Sequence, residues 1–430
     1  MGGAGVAGEG ACVRPCESHI QRFGGFCGRG TAAQASHLGK PVPSFRITGE
    51  DCLRILVLNY EYPPLGGGGG RFAAELCRQL AQMGHIIRVQ TGYFPGLPRI
   101  MVGDGVSIYR SGPPRRYLHT CDVKEMGLFL LAGFFPAIRQ ARTWRPHLVH
   151  AHFAVPTGVL SFLIHLLTGI PYVLSVQLGD VPGGVPCQTD HLFKWLKPWT
   201  VPIWRTAALV TAPSDHIRNL SRQSYPGVPV EVAYNAVDLE GQPASPVAPH
   251  HPVRLIFAGR FSPQKNLPFL MQVLGEVQDL AWQLEMLGDG PEMPLIKERA
   301  KAAGVEGKVN FHGWVAPERV AAVMSRGDIL ILPSLAEGLP LVGVQALAAG
   351  LAVLGSDIGG VVELVRPGGN GFLCPVHDLQ GFAGALRMML TTEGLLAQMK
   401  AESRRLAAIF DIKKTAVQFD NLFRAVVTKK

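Results

Sequence analysis

Apolar residues in this chain fall in short, nearly continuous runs, and stretches with helical spacing lie between them. Leu53–Asn59 reads as a buried strand, Gly66 to Gly70 as a glycine turn, and Arg71–Gly84 as a helix carrying Phe72, Leu76, Leu80 and Met83 at helical spacing. Ile86–Gln90 is a second strand. Strand, glycine turn, helix and strand open a Rossmann-like unit. The pattern recurs with strands at Leu148–His150, Tyr172–Val176 and Ala208–Thr211 and a helix near Val159–Thr168.

After residue 240 the texture changes. Glu240–Pro252, EGQPASPVAPHHP, has no period and reads as an interdomain linker. Val253–Ala258 then opens a second α/β unit, with further strands at Trp282–Leu287, Val309–Phe311, Ile329–Leu332, Ala352–Gly355 and Gly371–Leu373. The expected fold class is α/β: two Rossmann-like domains facing each other across a cleft, the usual place for a ligand. Its boundaries are 1–50 for a disordered extension with nine Gly in its first thirty positions, 51–245 for the first domain and 246–405 for the second. Residues 406–430 read as a helical segment that packs back on the first domain.

At 430 residues and 47% hydrophobic content the chain is long enough for two or three domains and needs no disulfide or metal staple. Its net charge of +9 divides as +2, +5 and +2 over residues 1–50, 51–240 and 241–430. The basic middle suits an anionic substrate or membrane surface, with ordinary surface charge as the alternative. No long Lys/Arg run occurs, so a nucleic-acid partner is not expected. The eight Cys are scattered, and Cys12, Cys16 and Cys27 lack the paired spacing of zinc ligands. The start of the chain has no apolar signal-peptide core, so a cytoplasmic location is expected. The apolar run Leu128–Ile138 is about half a membrane span. Phe129, Phe134 and Phe135 near Arg139 and Arg142 read as an ordinary buried helix; the alternative is peripheral docking on a membrane that carries a lipid-linked acceptor.

Three features carry candidate chemistry. In PPLGGGGGR at 63–71, Gly67, Gly68 and Gly69 would let backbone amides approach a phosphate at a helix start. The run is neither a Walker loop nor a dinucleotide fingerprint, since Arg71 stands where the third Gly belongs; a floppy turn is the alternative. Arg260 and Lys265 follow a strand and precede a helix, so both cations can meet one diphosphate, unless they are a solvated loop pair. In PSLAEGLPLVGVQALAAG at 333–350, Pro340 and Gly350 bracket a small apolar helix whose N-terminus presents free amides. Glu337 and Gly338 precede it; the alternative role for Glu337 is to cap a core helix.

Arg260 and Lys265, the Gly-Asp-Gly-Pro run at Gly288–Pro291, EGLPLV at 337–342, SDIGGVVE at 356–363 and NGFL at 370–373 together resemble the retaining glycosyltransferases of family four. The resemblance spans roughly residues 53 to 425. It implies the GT-B fold, an N-terminal acceptor domain and a C-terminal nucleotide-sugar domain. It also implies that Arg260, Lys265 and the amides of Leu341 and Val342 hold the donor diphosphate, with Gly67, Gly68, Gly69, Gly288 and Gly338 lining the donor site. Glu337 is implied to contact the donor sugar and His152 to face the reacting centre; the alternative for His152 is a strand-ending histidine beside His150. Asp180, in QLGDVPG, falls where the acceptor cleft should be, or else caps a turn. The family pattern places a second Glu eight positions after the first, and here that position is Gln345. An amide accepts through one oxygen and forgoes the charge-assisted part of the bond, about 1 kcal/mol.

The resemblance implies a retaining transfer from a nucleotide sugar to a glycan or lipid-linked acceptor in cell-envelope polysaccharide synthesis, at the inner face of the membrane. The chain contains no Asp-x-Asp, the usual carboxylate pair for a diphosphate-bound metal, so no metal or other cofactor is expected. A nucleotide-sugar epimerase of the same fold and a non-catalytic sugar-nucleotide-binding protein are the alternatives. A dehydrogenase fits poorly, since Gln90-Thr91 stand where an acidic residue should end the second strand.

Overall fold

The computed structural model describes residues 52–118, 121–185, 190–240 and 248–428. The expected extension at 1–50 and residues 241–247 of the linker lie outside them.

Strands buried on both faces read as apolar runs rather than alternations. The first half contains β1 (Arg54–Leu58), α1 (Gly68–Gln82), β2 (Ile86–Tyr93), β3 (Ile100–Gly103), β4 (Val106–Pro114), α2 (Val123–Trp144) and β5 (Leu148–His152). It continues with α3 (Val159–Thr168), β6 (Tyr172–Ser175), α4 (Asp190–Thr206), β7 (Leu209–Ala212), α5 (Asp215–Ser224) and β8 (Val230–Val232). Its eight strands form one sheet in the order β3-β4-β2-β1-β5-β6-β7-β8, parallel except for the β3–β4 pair.

The second half contains β9 (Val253–Ala258), α6 (Leu267–Gly275), β10 (Trp282–Leu287), α7 (Met293–Ala302), β11 (Val309–Gly313), α8 (Pro317–Met324) and β12 (Ile329–Leu332). Then come α9 (Leu341–Ala349), β13 (Ala352–Ser356), β14 (Gly371–Cys374), α10 (Leu379–Thr391), α11 (Leu395–Ala407) and α12 (Ile412–Thr428). Its six strands form a parallel sheet, β11-β10-β9-β12-β13-β14. Two parallel-dominated sheets, each covered by helices, match the α/β class read from the sequence.

Each sheet has an apolar core on either face. On one face of the first sheet, Phe129 and Ile138 of α2, Leu160 and Ile164 of α3, and Ile203 and Trp204 of α4 share one cluster. On the other, Phe72, Leu76 and Leu80 of α1 meet Ile412, Phe419 and Phe423 of α12. The last helix thus belongs by packing to the first sheet. The chain returns there beside a bridge between Val237 and Asp411.

Parallel sheets of this kind bind ligands beyond the strand carboxyl ends, where the strand order reverses direction. Here those points lie between β1 and β5 and between β9 and β12. Four segments leave them: the glycine turn, His152–Phe153, Gly259–Lys265 and Ser334–Glu337.

Three elements differ from the sequence reading. Helix α1 begins at Gly68 rather than Arg71. Glycine is a poor helix former, but a Cβ on Gly70 would lie 1.7 Å from the Glu61 carbonyl oxygen, so the close approach of that loop requires glycine. Strand β2 runs on to Tyr93; no acidic residue ends it either. The edge hairpin β3–β4 has no counterpart in the sequence reading, because all four residues of β3 are exposed and give no inward–outward alternation.

Candidate active site

The second-sheet wall is built on Glu337. Its side chain is buried, and its Oε1 accepts from Lys265 Nζ at 2.5 Å and from Ser334 Oγ at 2.7 Å. Lys265 ends a 3-10 turn after β9, and Ser334 follows β12, so two neighbouring strand ends hold one carboxylate oxygen in place. The backbone continues through Pro340, the N-cap of α9, and no side chain caps this helix. The first-turn amides, those of Leu341 and Val342 among them, therefore point into the cleft as donors with a partial positive charge. Gly350 ends the helix in the left-handed conformation.

Arg260 is exposed at the end of β9, and its charge acts across the cleft on Glu61. Gly288 has a backbone reason for its identity: a Cβ there would lie 1.9 Å from the Gly259 carbonyl oxygen. Only glycine lets the β9 and β10 ends come this close.

The first-sheet wall faces this one closely. A Cβ on Gly68 would lie 3.2 Å from Cβ of Leu341, so the N-termini of α1 and α9 meet across the cleft. Gly67 is the N-cap of α1, and Gly69 lies against the Phe153 ring. A Cβ on Gly338 would meet Leu178 at 3.3 Å. Two helix N-termini, Arg260 and the Lys265–Glu337 pair on these walls have the chemistry to hold a polyanion.

His152 ends β5 but is 1% exposed, with its ring edge-on to Phe72 and 4.2 Å from the His150 ring. Neither ring nitrogen has a hydrogen-bond partner, and burial pushes its pKa down to about 3. The imidazole is neutral and closed off from the cleft in this conformation.

Asp180 takes the turn-capping alternative: it is buried, and Oδ1 accepts from the Ala154 amide and Oδ2 from the Gln177 amide, both at 2.8 Å. It ties the segment after β5 to the turn after β6. Burial pushes its carboxyl up to about 7, against the lowering by those amides.

Gln345 lies one helical turn below Leu341 on the same face of α9. It lines a cavity of about 240 Å³ with Arg71 and Glu75 of α1 and with Asp238. Glu75 and Asp238 both pair with Arg78.

Several residues of the cleft are given no role by the sequence. Glu61 follows β1, its carboxyl raised by burial and lowered by Arg115, the Gly67 amide and Arg260. Arg115 is buried and donates from Nη1 to the Tyr60 carbonyl at 3.2 Å. Phe153 holds φ at +75°, a costly backbone for a non-glycine residue, about 1–3 kcal/mol, and packs edge-on against Tyr60 at 5.0 Å. Glu363 reaches between the two halves: its Oε1 accepts from the Asp215 amide at the start of α5 at 2.8 Å. Asn235 makes a second tie, Nδ2 to the Leu339 carbonyl at 3.1 Å.

Residues 252–392 match the family model described as Glycosyl transferases group 1, and residues 66–240 match that of Glycosyltransferase Family 4. The chain is 26% identical over 403 residues to a glycogen synthase of Mycobacterium tuberculosis, a match covering 87% of this chain and 95% of that one. Among solved structures, a sucrose-phosphate synthase from Thermosynechococcus elongatus superposes with a TM-score of 0.77 at 20% identity, over 88% of this chain and 100% of that one. The Anabaena protein HepE, solved with UDP and glucose, gives 0.68 at 21% identity, over 87% and 100%.

Proposed function

The chain belongs to the group 1, family 4 glycosyltransferases, enzymes of the GT-B fold that act on nucleotide sugars, and from that premise we propose that it transfers a hexosyl group with retention and without a metal ion. The acceptor is a glycan or a lipid-linked molecule of cell-envelope polysaccharide synthesis, met at the inner face of the membrane. The donor diphosphate lies between Arg260, Lys265 and the α9 N-terminus, and Glu337 orients the sugar. The bond from the anomeric carbon to the diphosphate oxygen breaks, and negative charge grows on the leaving oxygen while the ring becomes oxocarbenium-like. Fixed cations and helix amides stabilise that charge without reorganising, which is where enzymes gain most. The acceptor hydroxyl adds to the anomeric carbon on the face the leaving group occupied, and its proton passes to the departing diphosphate.

The observation that carries this reading is the pairing of Lys265 with the buried Glu337 at the uncapped start of α9. The test is a thermal-shift screen with UDP, GDP, ADP and their sugars, uridine donors first, then proton NMR of the product. A true donor raises the apparent stability by mass action. Retention is refuted by a product of inverted anomeric configuration, and transfer by a donor that isomerises with no acceptor present.

A further inference from the structure

Helices α2, α3 and α4 cover one face of the first sheet side by side, since their inward residues share a single core cluster. Their outward residues therefore make one outer surface, and it is unusually apolar. Leu131 and Phe135 of α2 are 72% and 77% exposed, Leu166 of α3 is 62% exposed and Trp199 of α4 is 79% exposed. The sequence reading of α2 as an ordinary buried helix holds only for its inner face.

Among the described residues, the exposed charges along the stripe itself are all cationic. Lys124, Leu128, Leu131, Phe135, Arg139 and Arg142 are exposed and follow one another at spacings of three and four, so they form one stripe along α2 with a cation at one end and two at the other. Asp122 and Glu125, the acids of the first turn, are engaged in a capping box with the helix's own amides. Lys197 and Arg205 add exposed cations on α4. Among the described residues no helix is long and apolar enough to cross a membrane.

We propose that this surface docks the protein on an anionic phospholipid bilayer, with the α2 stripe lying in the headgroup layer. An apolar stripe flanked by cations has the chemistry of an interfacial helix, and an exposed Trp is the residue that favours that depth. Two copies meeting through this face would oppose cation to cation, whereas anionic headgroups complement it. The stripe also leads into the molecule. Lys124 and Leu128 line a cavity of about 240 Å³ that reaches Tyr60 and Arg115 at the cleft. Resting on the transfer reading above, this continuity assigns the acceptor as an amphiphile whose tail stays in the bilayer while its headgroup enters past Leu128. Docking itself does not depend on that reading.

Co-sedimentation of the full chain with vesicles tests it, using phosphatidylcholine alone and phosphatidylcholine with about one-third phosphatidylglycerol, at low and high salt. Wild type is expected on the anionic vesicles at low salt, with Leu131→Glu/Phe135→Glu weaker by about tenfold or more. Arg139→Ala/Arg142→Ala should weaken binding and flatten its salt dependence. All four sites are exposed, so the melting temperature and donor turnover with a soluble acceptor should match wild type. That separates loss of docking from failure of the transfer reading. The proposal is overturned if wild type ignores anionic vesicles or if Leu131→Glu/Phe135→Glu binds them as wild type does. It is equally overturned if light scattering shows a dimer that this variant dissociates, with no vesicle binding.

Discussion

Lys265 and Ser334 donate to the same oxygen of Glu337, so the carboxylate has a fixed orientation before any donor arrives. Glu337→Ala is therefore expected to fold and to lose about 10²–10³ in kcat, the usual effect of removing one preorganised group; a folded variant with wild-type turnover would exclude the role. Asp180 gives a pH prediction. Its folded pKa of about 7 is above the ordinary carboxylate value, so its contribution to stability is full in acid and is lost as pH rises through about 7. Asp180→Asn keeps one acceptor oxygen but turns an NH2 toward the other of the Ala154 and Gln177 amides, and should melt lower throughout. The gap to wild type should narrow from pH 5 to pH 8, and a gap that widens would contradict a raised pKa. At this scale the sequence points to Arg260, Lys265 and Glu337 because each follows a strand end. It does not point to Glu61 or to the backbone of Phe153, and it marks Glu363 only as the end of SDIGGVVE, not by its contact. A lone Glu after a strand has no pattern, a positive φ at Phe has no signature, and the partner of Glu363 exists only once the two halves pack. The sequence leaves Asp180 open between the acceptor cleft and a turn cap, because one of its two partners, the Ala154 amide, comes from a loop that only the fold brings near.

Helix α9 matches its sequence boundaries at Leu341 and Ala349 because Pro340 and Gly350 punctuate it chemically. The strands of both sheet centres are legible for the same kind of reason, being largely apolar and bounded by turns. The edge hairpin β3–β4 and the outer face of α2 are not, since exposure of apolar residues cannot be told from burial along the sequence. Helix α12 packs back on the first sheet as expected, but the residues it meets on α1 and β5 are set only by the fold. Phe419 stands there, fully buried, against Phe72, His150 and Phe423. Phe419→Ala should cost about 3–5 kcal/mol in denaturant unfolding, as large-to-small changes in tight cores do. A loss below about 1 kcal/mol would mean that α12 is only loosely held.

The two halves meet through Glu363 with the α5 amides, Asn235 with Leu339, and the facing starts of α1 and α9. The cleft is thus narrow, and closing it excludes water from the donor. The two-domain plan is visible in the sequence because the α/β pattern restarts after a Pro-rich segment; the closeness of the halves is not. All of the transfer chemistry proposed for this cleft rests on fixed positive charge standing where other enzymes use a metal. The direct measurement is release of nucleoside diphosphate from the donor in excess EDTA, for wild type and for Arg260→Ala/Lys265→Ala. The expected result is an unchanged wild-type rate and a double variant slower by about 10³ or more that magnesium does not rescue. A wild-type rate that collapses in EDTA and returns with magnesium or manganese would contradict it.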